Sequence, residues 1–405
     1  MSGMRLQIAR RRGRRGLRLW NVGVVLALAF TAALVVAGFV FNTGWDLLGA
    51  RELKKQPKID SKTLFDLVKL SFGVVAGAGA LVALVVAYRR QRVDEDGALR
   101  DATRLHTERF TAAVAQLGDD SAAVRLGGVH ALAGLADDAP TRELRQTCVD
   151  VLCAYLRLPY TPQSDLLPND TEAQHAYLSL RQVRHTIIRL IRDHLRHPAD
   201  HQHSWAGLHL DFTGVVFDGG GFGGAVFSGG RVNFVGATFS GAMVNFVGAT
   251  FSGARVDFFG ATFSGARVDF FGATFSGGTV DFGEATFSGG TVNFGMATFS
   301  GGTVNFVGAT FSGGTVNFGE ATFSGGTVNF GMATFSGGTV NFVGATFSGG
   351  TVDFREATFS GGRVDFVGAT FSGGTVDFGA ATGTRPVNLP HPPSLPAGLT
   401  LAAHW

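Results

Sequence analysis

The sequence predicts a β-solenoid preceded by a two-helix transmembrane hairpin and a small all-α domain. Three observations carry this reading. A twelve-residue unit, Phe-Ser-Gly-Gly-Thr-Val-Asn-Phe-Val-Gly-Ala-Thr, recurs with little change from about Arg231 to Phe378. Two uncharged apolar runs, Leu19 to Trp45 and Leu70 to Tyr88, are each long enough to cross a bilayer. Between them and the repeats, apolar residues recur at helical spacing. The chain of 405 residues then divides into a basic arm (1–18), a membrane hairpin with its loop (19–88), a helical linker and small helical domain (89–204), the solenoid (205–383) and a proline-rich tail (384–405).

The arm carries seven arginines and no acid. A nucleic-acid-binding arm is one account of such a run. The apolar segment that follows offers another. Cationic residues flank the cytoplasmic ends of membrane helices, and Arg89, Arg90 and Arg92 follow the second run. Both termini are therefore expected in the cytoplasm, in a multi-pass protein of the plasma membrane whose first partner is the lipid bilayer. The connecting loop carries Arg51, Lys54, Lys55, Lys58, Lys62 and Lys69, which pull the other way. A secretory signal is set aside because the first run is too long and no cleavage site follows. In the second run, Gly73 and Gly77 lie four apart and allow close helix packing, within the hairpin or in a homo-oligomer. Neither run holds an acid or a histidine, which argues against an ion pathway.

Arg89 to Gly118 reads as a linker helix with Leu99, Ala102, Phe110, Val114 and Leu117 on one face. Asp119-Asp120-Ser121 starts a second helix, with Val124, Val129, Leu132 and Leu135 inward. A third runs from Thr141 to about Leu156, and a fourth from Glu172 to about Leu195. The pair in the middle resembles a HEAT or armadillo-type hairpin. One hairpin is too little for a helical solenoid of its own, so a compact collar is expected. Trp205, Leu208, Leu210 and Phe212 would then cover the first coil, whose open end exposes rings and strand edges.

Within the repeats, valine falls at every twelfth position from Val232 to Val376 without a slip, and phenylalanine keeps the same beat from Phe234 to Phe378. A strict short period means that each unit buries its apolar face against a copy of itself. Gly230, Val232 and Phe234 alternate with Arg231 and Asn233, the period of a strand with one face buried. Val235-Gly236 interrupts, Ala237 and Phe239 resume around Thr238, and Ser240-Gly241 interrupts again. Each unit thus holds two short strands and two corners. The core comprises Val232, Phe234, Ala237, Phe239, Val244, Phe246, Phe251, Val280, Phe282 and Phe287 with their equivalents, and Gly230 is expected among the small inward residues. A coil of twelve residues is too narrow for two rings and a valine. Two units per coil, with four strands and four corners, fit better and give an array roughly 30 Å long.

The lead-in spaces Phe212, Phe217, Phe222 and Phe227 by five. With the Ala-Thr-Phe-Ser-Gly units that follow, it resembles the pentapeptide-repeat superfamily, in a variant with Phe-x-Gly-Ala-x-Phe every twelve residues. The likeness covers about 170 residues and implies a right-handed quadrilateral β-helix. This chain adds two residues per ten to the simplest family pattern. The resemblance fixes no activity. A 36-residue block beginning near Gly283 repeats from Gly319, so near-identity of copies reflects duplication as readily as selection.

Candidate sites are few. Cys148 and Cys153 lie five apart on one helix, a poor spacing for a disulfide, and read as small apolar core residues. His185, His194, His197, His201, His203 and His209 cluster at the end of the fourth helix, but Pro198 breaks any regular ligand spacing and a polar junction is the better reading. The corner serines are turn chemistry, and the glycine-rich corners lack the lysine and helix of a phosphate loop. No nucleophile with a base and orienting acid is visible. No cofactor, no metal and no enzyme activity are expected. A non-catalytic scaffold bound to a protein partner leads. A DNA mimic acting on a topoisomerase is second. It is disfavoured because residues 208–383 hold eleven acids against five arginines, far below the charge density of a duplex, and no nucleic-acid partner is expected. A water-ordering or ice-binding array of outward Thr and Asn is third. The tail, with Pro390, Pro392, Pro393 and Pro396, either covers the last coil or stays flexible.

Overall fold

The computed structural model describes residues 61–405, apart from 242 and 266, together with isolated helical positions at 30, 31, 35, 38, 39, 42 and 43. The basic arm, most of the first apolar run and the loop after it lie outside the described residues. Two compact units are present, residues 1–102 and 103–405.

Helix α1 spans Ser61–Leu117. The helix that the sequence places from Arg89 to Gly118 is continuous with the apolar run before it. No proline or turn cluster interrupts it, and an isolated Gly97 does not stop a helix. Its apolar part is long enough to cross a membrane. Phe65, Leu70, Phe72 and Val75 are all 63–71% exposed, so among the described residues no core covers them. Gly73 and Gly77 lie here, and a methyl group at either would meet no neighbour within 4 Å. Further along, the buried face is not the one read from the sequence. His106, Ala113 and Leu117 are buried, with Phe110 partly so, whereas Leu99 and Val114 are exposed. Residues 106, 110, 113 and 117 form one helical stripe, and it is fixed by the neighbour it meets. There Gly128 lets two backbones approach: a methyl group on it would sit 2.6 Å from the Leu117 nitrogen.

That neighbour is α2, Ala122–Asp137, followed by α3, Arg142–Leu156, and α4, Thr171–Leu195. Thr141 and Asp170 cap α3 and α4 by accepting from the Leu144 and Ala173 N–H groups. Val129, Leu132, Cys148, Leu152, Val183, Ile187 and Ile191 form the core between them. Val124, expected inward, is 39% exposed at the first turn of α2.

The rest of the chain is a right-handed-type solenoid of about eight turns. Every ladder is parallel, and Val268 pairs with Val292, Phe287 with Phe311 and Val304 with Val328. A coil is therefore 24 residues, two repeat units. Around one coil the chain lays down Thr279-Val280-Asp281, turns at Gly283-Glu284, continues through Thr286-Phe287, turns at Ser288-Gly289-Gly290, repeats both faces through Thr291-Val292-Asn293 and Thr298-Phe299, and re-enters the first sheet. The first coil is shorter, since Phe217 pairs with Phe239. The two residues it lacks fall between Phe217 and Gly220, where later coils have their Ser-Gly-Gly or Ser-Gly-Ala corner. The excess over a five-residue rhythm thus resides in those corners.

Physical spacing explains the sequence pattern. Phenyl rings one coil apart stack face to face, with centroids 4.8 Å apart for Phe282 and Phe306 and interplanar angles of a few degrees. Across the coil the same ring meets Phe294 edge to face at 5.9 Å. Both are favourable aromatic geometries. Val232, Phe234, Ala237, Phe239, Val244, Phe246, Phe251, Val280, Phe282 and Phe287 are each at most 2% exposed. Gly230 differs from expectation. It has φ of 71°, and a side chain there would meet the Leu208 carbonyl 2.5 Å away, so it is a corner residue where backbones touch.

Both ends are closed. Trp205, Leu208, Leu210 and Phe212 are buried under α3 and α4. At the far end the tail forms a shortened final turn, with Leu399–Thr400 pairing with Val376 and Asp377. The Phe282→Ala variant should lose about 3–5 kcal/mol of local stability from cavity formation in the ring column. Hydrogen exchange should localise that loss to the strands of its own and adjoining coils, with α2–α4 unaffected.

Candidate functional site

Two arrangements merit functional attention: the polar junction between the helices and the first coil, and the outer faces of the solenoid.

The junction is built on Asp218, which occupies the short corner after Phe217 and is 6% exposed. Its carboxylate accepts from the Tyr160 hydroxyl at 2.5 Å and the Tyr177 hydroxyl at 2.7 Å, and it lies 3.3 Å from His185 Nε2 and 3.5 Å from Arg181 Nε. Burial opposes its ionisation, but hydrogen bonds from His185, Tyr160 and Tyr177 outweigh it and hold the carboxyl well below the usual range. Beside it Arg184, 2% exposed, donates to the Leu156 and Val216 carbonyls at 2.7 Å and stacks on the Tyr160 ring at 4.0 Å. This one side chain ties α3, α4 and the first coil. A cavity of about 430 Å³ opens alongside, lined by Pro162, Gln163, Tyr177, Arg181, Asp218, Ser240 and Gly241.

A second node joins α2, α4 and the entry to the solenoid. His194 bonds to Asp137 through Nε2 at 3.0 Å and to the Leu190 carbonyl through Nδ1, and its ring stacks on Trp205 at 4.1 Å. Trp205 Nε1 donates to the other Asp137 oxygen at 3.2 Å. Burial disfavours the imidazolium, but the Asp137 and Leu190 bonds prevail and raise the pKa of His194. The remaining histidines divide. His197 and His201 stack at 4.2 Å, and His209 Nδ1 accepts from the Arg231 N–H. Among the described residues no group of three or more His, Cys, Asp or Glu is arranged to hold a metal. Cys148 and Cys153 are buried and free, and burial pushes their thiols up to about 11 and about 12. Thiols so rarely ionised are poor nucleophiles at neutral pH.

On the solenoid, the Asn and Asp that follow each valine look outward in the sequence but are committed to the fold. Asp281 Oδ1 accepts the Gly283 N–H at 2.9 Å, and Asn305 Nδ2 donates back to it at 2.8 Å from the next coil. Asn293, Asn317 and Asn341 form a similar amide ladder with steps of 3.0 Å. Several members, including Asp257, Asp269, Asn293 and Asp353, are under 10% exposed. Each solenoid arginine lies on such an acid. Arg231 and Arg255 flank Asp257, while Arg267, Arg355 and Arg363 pair with Asp269, Asp353 and Asp365. What remains outward is threonine, serine and the tight corners. Beyond the first coil, which has Val216 and Val226 there, two opposite faces carry Thr and Ser columns, such as Thr286, Thr310, Thr334 and Thr358 in direct register. At the corners Phe259, Phe271, Met296 and Met332 are 40–56% exposed. Met296 and Met332, like Glu284, Glu320 and Glu356, hold φ of 54–59° where other units have glycine. Side chains there cost about 1–3 kcal/mol each in backbone strain.

Sequence reasoning missed Asp218, Arg184 and Tyr160. The one available signal was Asp218 standing where later corners have serine. The family described as Pentapeptide repeats (9 copies) matches residues 270–316, 313–352 and 337–382. Searches among curated proteins and solved structures return no match for this chain.

The Asp218→Asn variant should cost about 2–3 kcal/mol at neutral pH, because two hydroxyl donors lose a charged acceptor. A carboxyl depressed in the folded state contributes stability that is complete above about pH 4 and lost as pH falls below it. The variant should therefore flatten the acid limb of a melting-temperature profile, with its largest deficit above pH 4.

Proposed function

The repeat array belongs to the pentapeptide-repeat superfamily, whose solenoids commonly serve as interaction scaffolds, and from this premise we propose that the chain is a membrane-anchored, non-catalytic scaffold presenting its solenoid to a protein partner at the cytoplasmic face. The observation that carries the anchor is the apolar stretch of α1 around Leu70 to Tyr88, whose large side chains Leu70, Phe72, Val75, Leu84 and Val86 no described residue covers. Lipid is the solvent that such a surface fits. The first apolar run supplies a second crossing in this reading, with Gly73 and Gly77 at the helix contact and both termini in the cytoplasm.

The surface chemistry favours a protein partner over mimicry of DNA. The array's arginines sit on the acids of its ladders, at Asp257, Asp269, Asp353 and Asp365, so its anions form no dense exposed run. A duplex mimic needs a dense run of exposed anions. Columns of Thr and Ser with isolated Met and Phe at the corners suit a mixed polar and apolar protein interface. The ordered nodes at Asp218 and His194 hold the helices to the first coil, which is what a rigid presentation platform requires.

The test has two arms. Membranes from cells expressing the full chain should retain it through alkaline carbonate extraction, and release into the soluble fraction would refute the anchor. Crosslinking followed by capture from those membranes should recover proteins that are lost when Phe259, Phe271, Met296 and Met332 are replaced together by serine. Unchanged recovery would refute the corners as the contact.

A further inference from the structure

We propose that residues 384–405 terminate the solenoid, occupying the surface on which the end of a second copy of this chain would otherwise assemble. Each coil of the array is a template for the next. Its ladders are parallel and in register, and its rings stack on identical rings. The final edge of such a stack offers open backbone donors and acceptors together with uncovered phenyl faces, a surface that pairs with another chain unless it is blunted.

The tail blunts it rung by rung. Val387 donates to the Val364 carbonyl and accepts from the Phe366 N–H. Gly398 and Thr400 accept from the Val376 and Phe378 N–H groups. Asn388 donates to Asp365 at 2.7 Å and so ends the amide ladder. In the remaining sheet Gly383 stands opposite Phe359, where a copy of the repeat would place a ring. The indole of Trp405 takes that space, 5.6 Å from Phe359 and 5.7 Å from Phe378, with Nε1 donating to the Gly383 carbonyl. Leu389, Leu399 and Ala402 are buried against the last coil.

What the tail then offers is a poor template. Pro390, Pro392, Pro393 and Pro396 fall in the segment joining Val387 to Leu399, and they carry no N–H to continue a ladder. Arg385 fastens this segment by donating to the Leu389 and Pro390 carbonyls. The opposite end of the array is sealed by α3 and α4, which share a core with it, so only the tail end can be uncovered. The contact blocked is therefore end to end between two C-terminal edges, whose strands would meet antiparallel and not as a continued parallel ladder; such an isologous pair closes after two copies and does not grow into a fibre.

The full-length chain, purified in mild detergent, is compared by sedimentation velocity with a chain ending at Gly383. Far-UV circular dichroism monitors strand content. A second variant keeps the tail but carries Leu399→Asp with Leu401→Asp, which undocks it without shortening the chain. Both variants should retain the strand signal and show about a twofold rise in particle mass over the full chain, and a synthetic peptide of residues 384–405 should reverse it for the truncated chain. A variant that keeps its strand signal and the full chain's mass overturns the proposal. Loss of strand signal without association in both variants also overturns it, because the tail would then be a stabilising coil and not a blocked interface.

Discussion

The structure depends on one coincidence of lengths. Parallel strands repeat at about 4.8 Å, and phenyl rings stacked one coil apart here lie 4.5–5.2 Å apart, with 4.8 Å the recurrent spacing. A ring column and a backbone ladder therefore advance together without mismatch. Once that condition holds, each coil must resemble its neighbour, because a ring such as Phe282 out of place breaks two stacks and two edge contacts. Alanine fills the buried corner position before each Thr-Phe strand, as at Ala237, Ala285 and Ala309. Glycine is required where successive backbones touch, as at Gly314, whose added side chain would collide with the Gly290 carbonyl. Asparagine beside valine closes the tight turn and reaches the next coil. The repetition of the sequence is the chemical form of this single constraint.

A stack of equal coils has no intrinsic end, and the chain spends its irregular residues on making two. At the start, the shortened corner at Asp218 replaces a serine with a carboxylate that gathers a tyrosine, a histidine and an arginine from α4 and a second tyrosine from the connection before it. At the finish, a leucine, a tryptophan and four prolines substitute for the valines, rings and donors of the repeat. Functional specificity is then to be sought on the sides of the rod, at the threonine faces and tight corners, where side chains are spare.

The sequence made the array legible because its period is strict. Val232 to Val376 keeps one beat, and the size of Phe rules out a coil of one unit. It also exposed two helix starts, through Ser121 and Thr141. Three things were hidden. Which face of α1 is buried depends on where Gly128 brings α2 close, a contact between segments that no local pattern records. The commitment of Asn and Asp to ladders follows from their register with residues 24 away, which is a property of the coil and not of the unit. Asp218 and Arg184 look like ordinary polar residues until the helices are docked. The burial of Gly230's neighbours was readable, but its own left-handed φ was not, since glycine gives no side-chain cue to its direction.

The central claim is that two repeat units make one coil, so that residues 24 apart are neighbours and residues 12 apart lie on opposite faces. Paired cysteines decide this directly. Thr286→Cys with Thr310→Cys places two thiols on adjacent rungs, within the Cα separation that a disulfide tolerates. Thr286→Cys with Thr298→Cys places them across the rod. The account predicts rapid intramolecular crosslinking under mild oxidation for the first pair and none for the second. Crosslinking of the second pair, with the first unreactive, would contradict it.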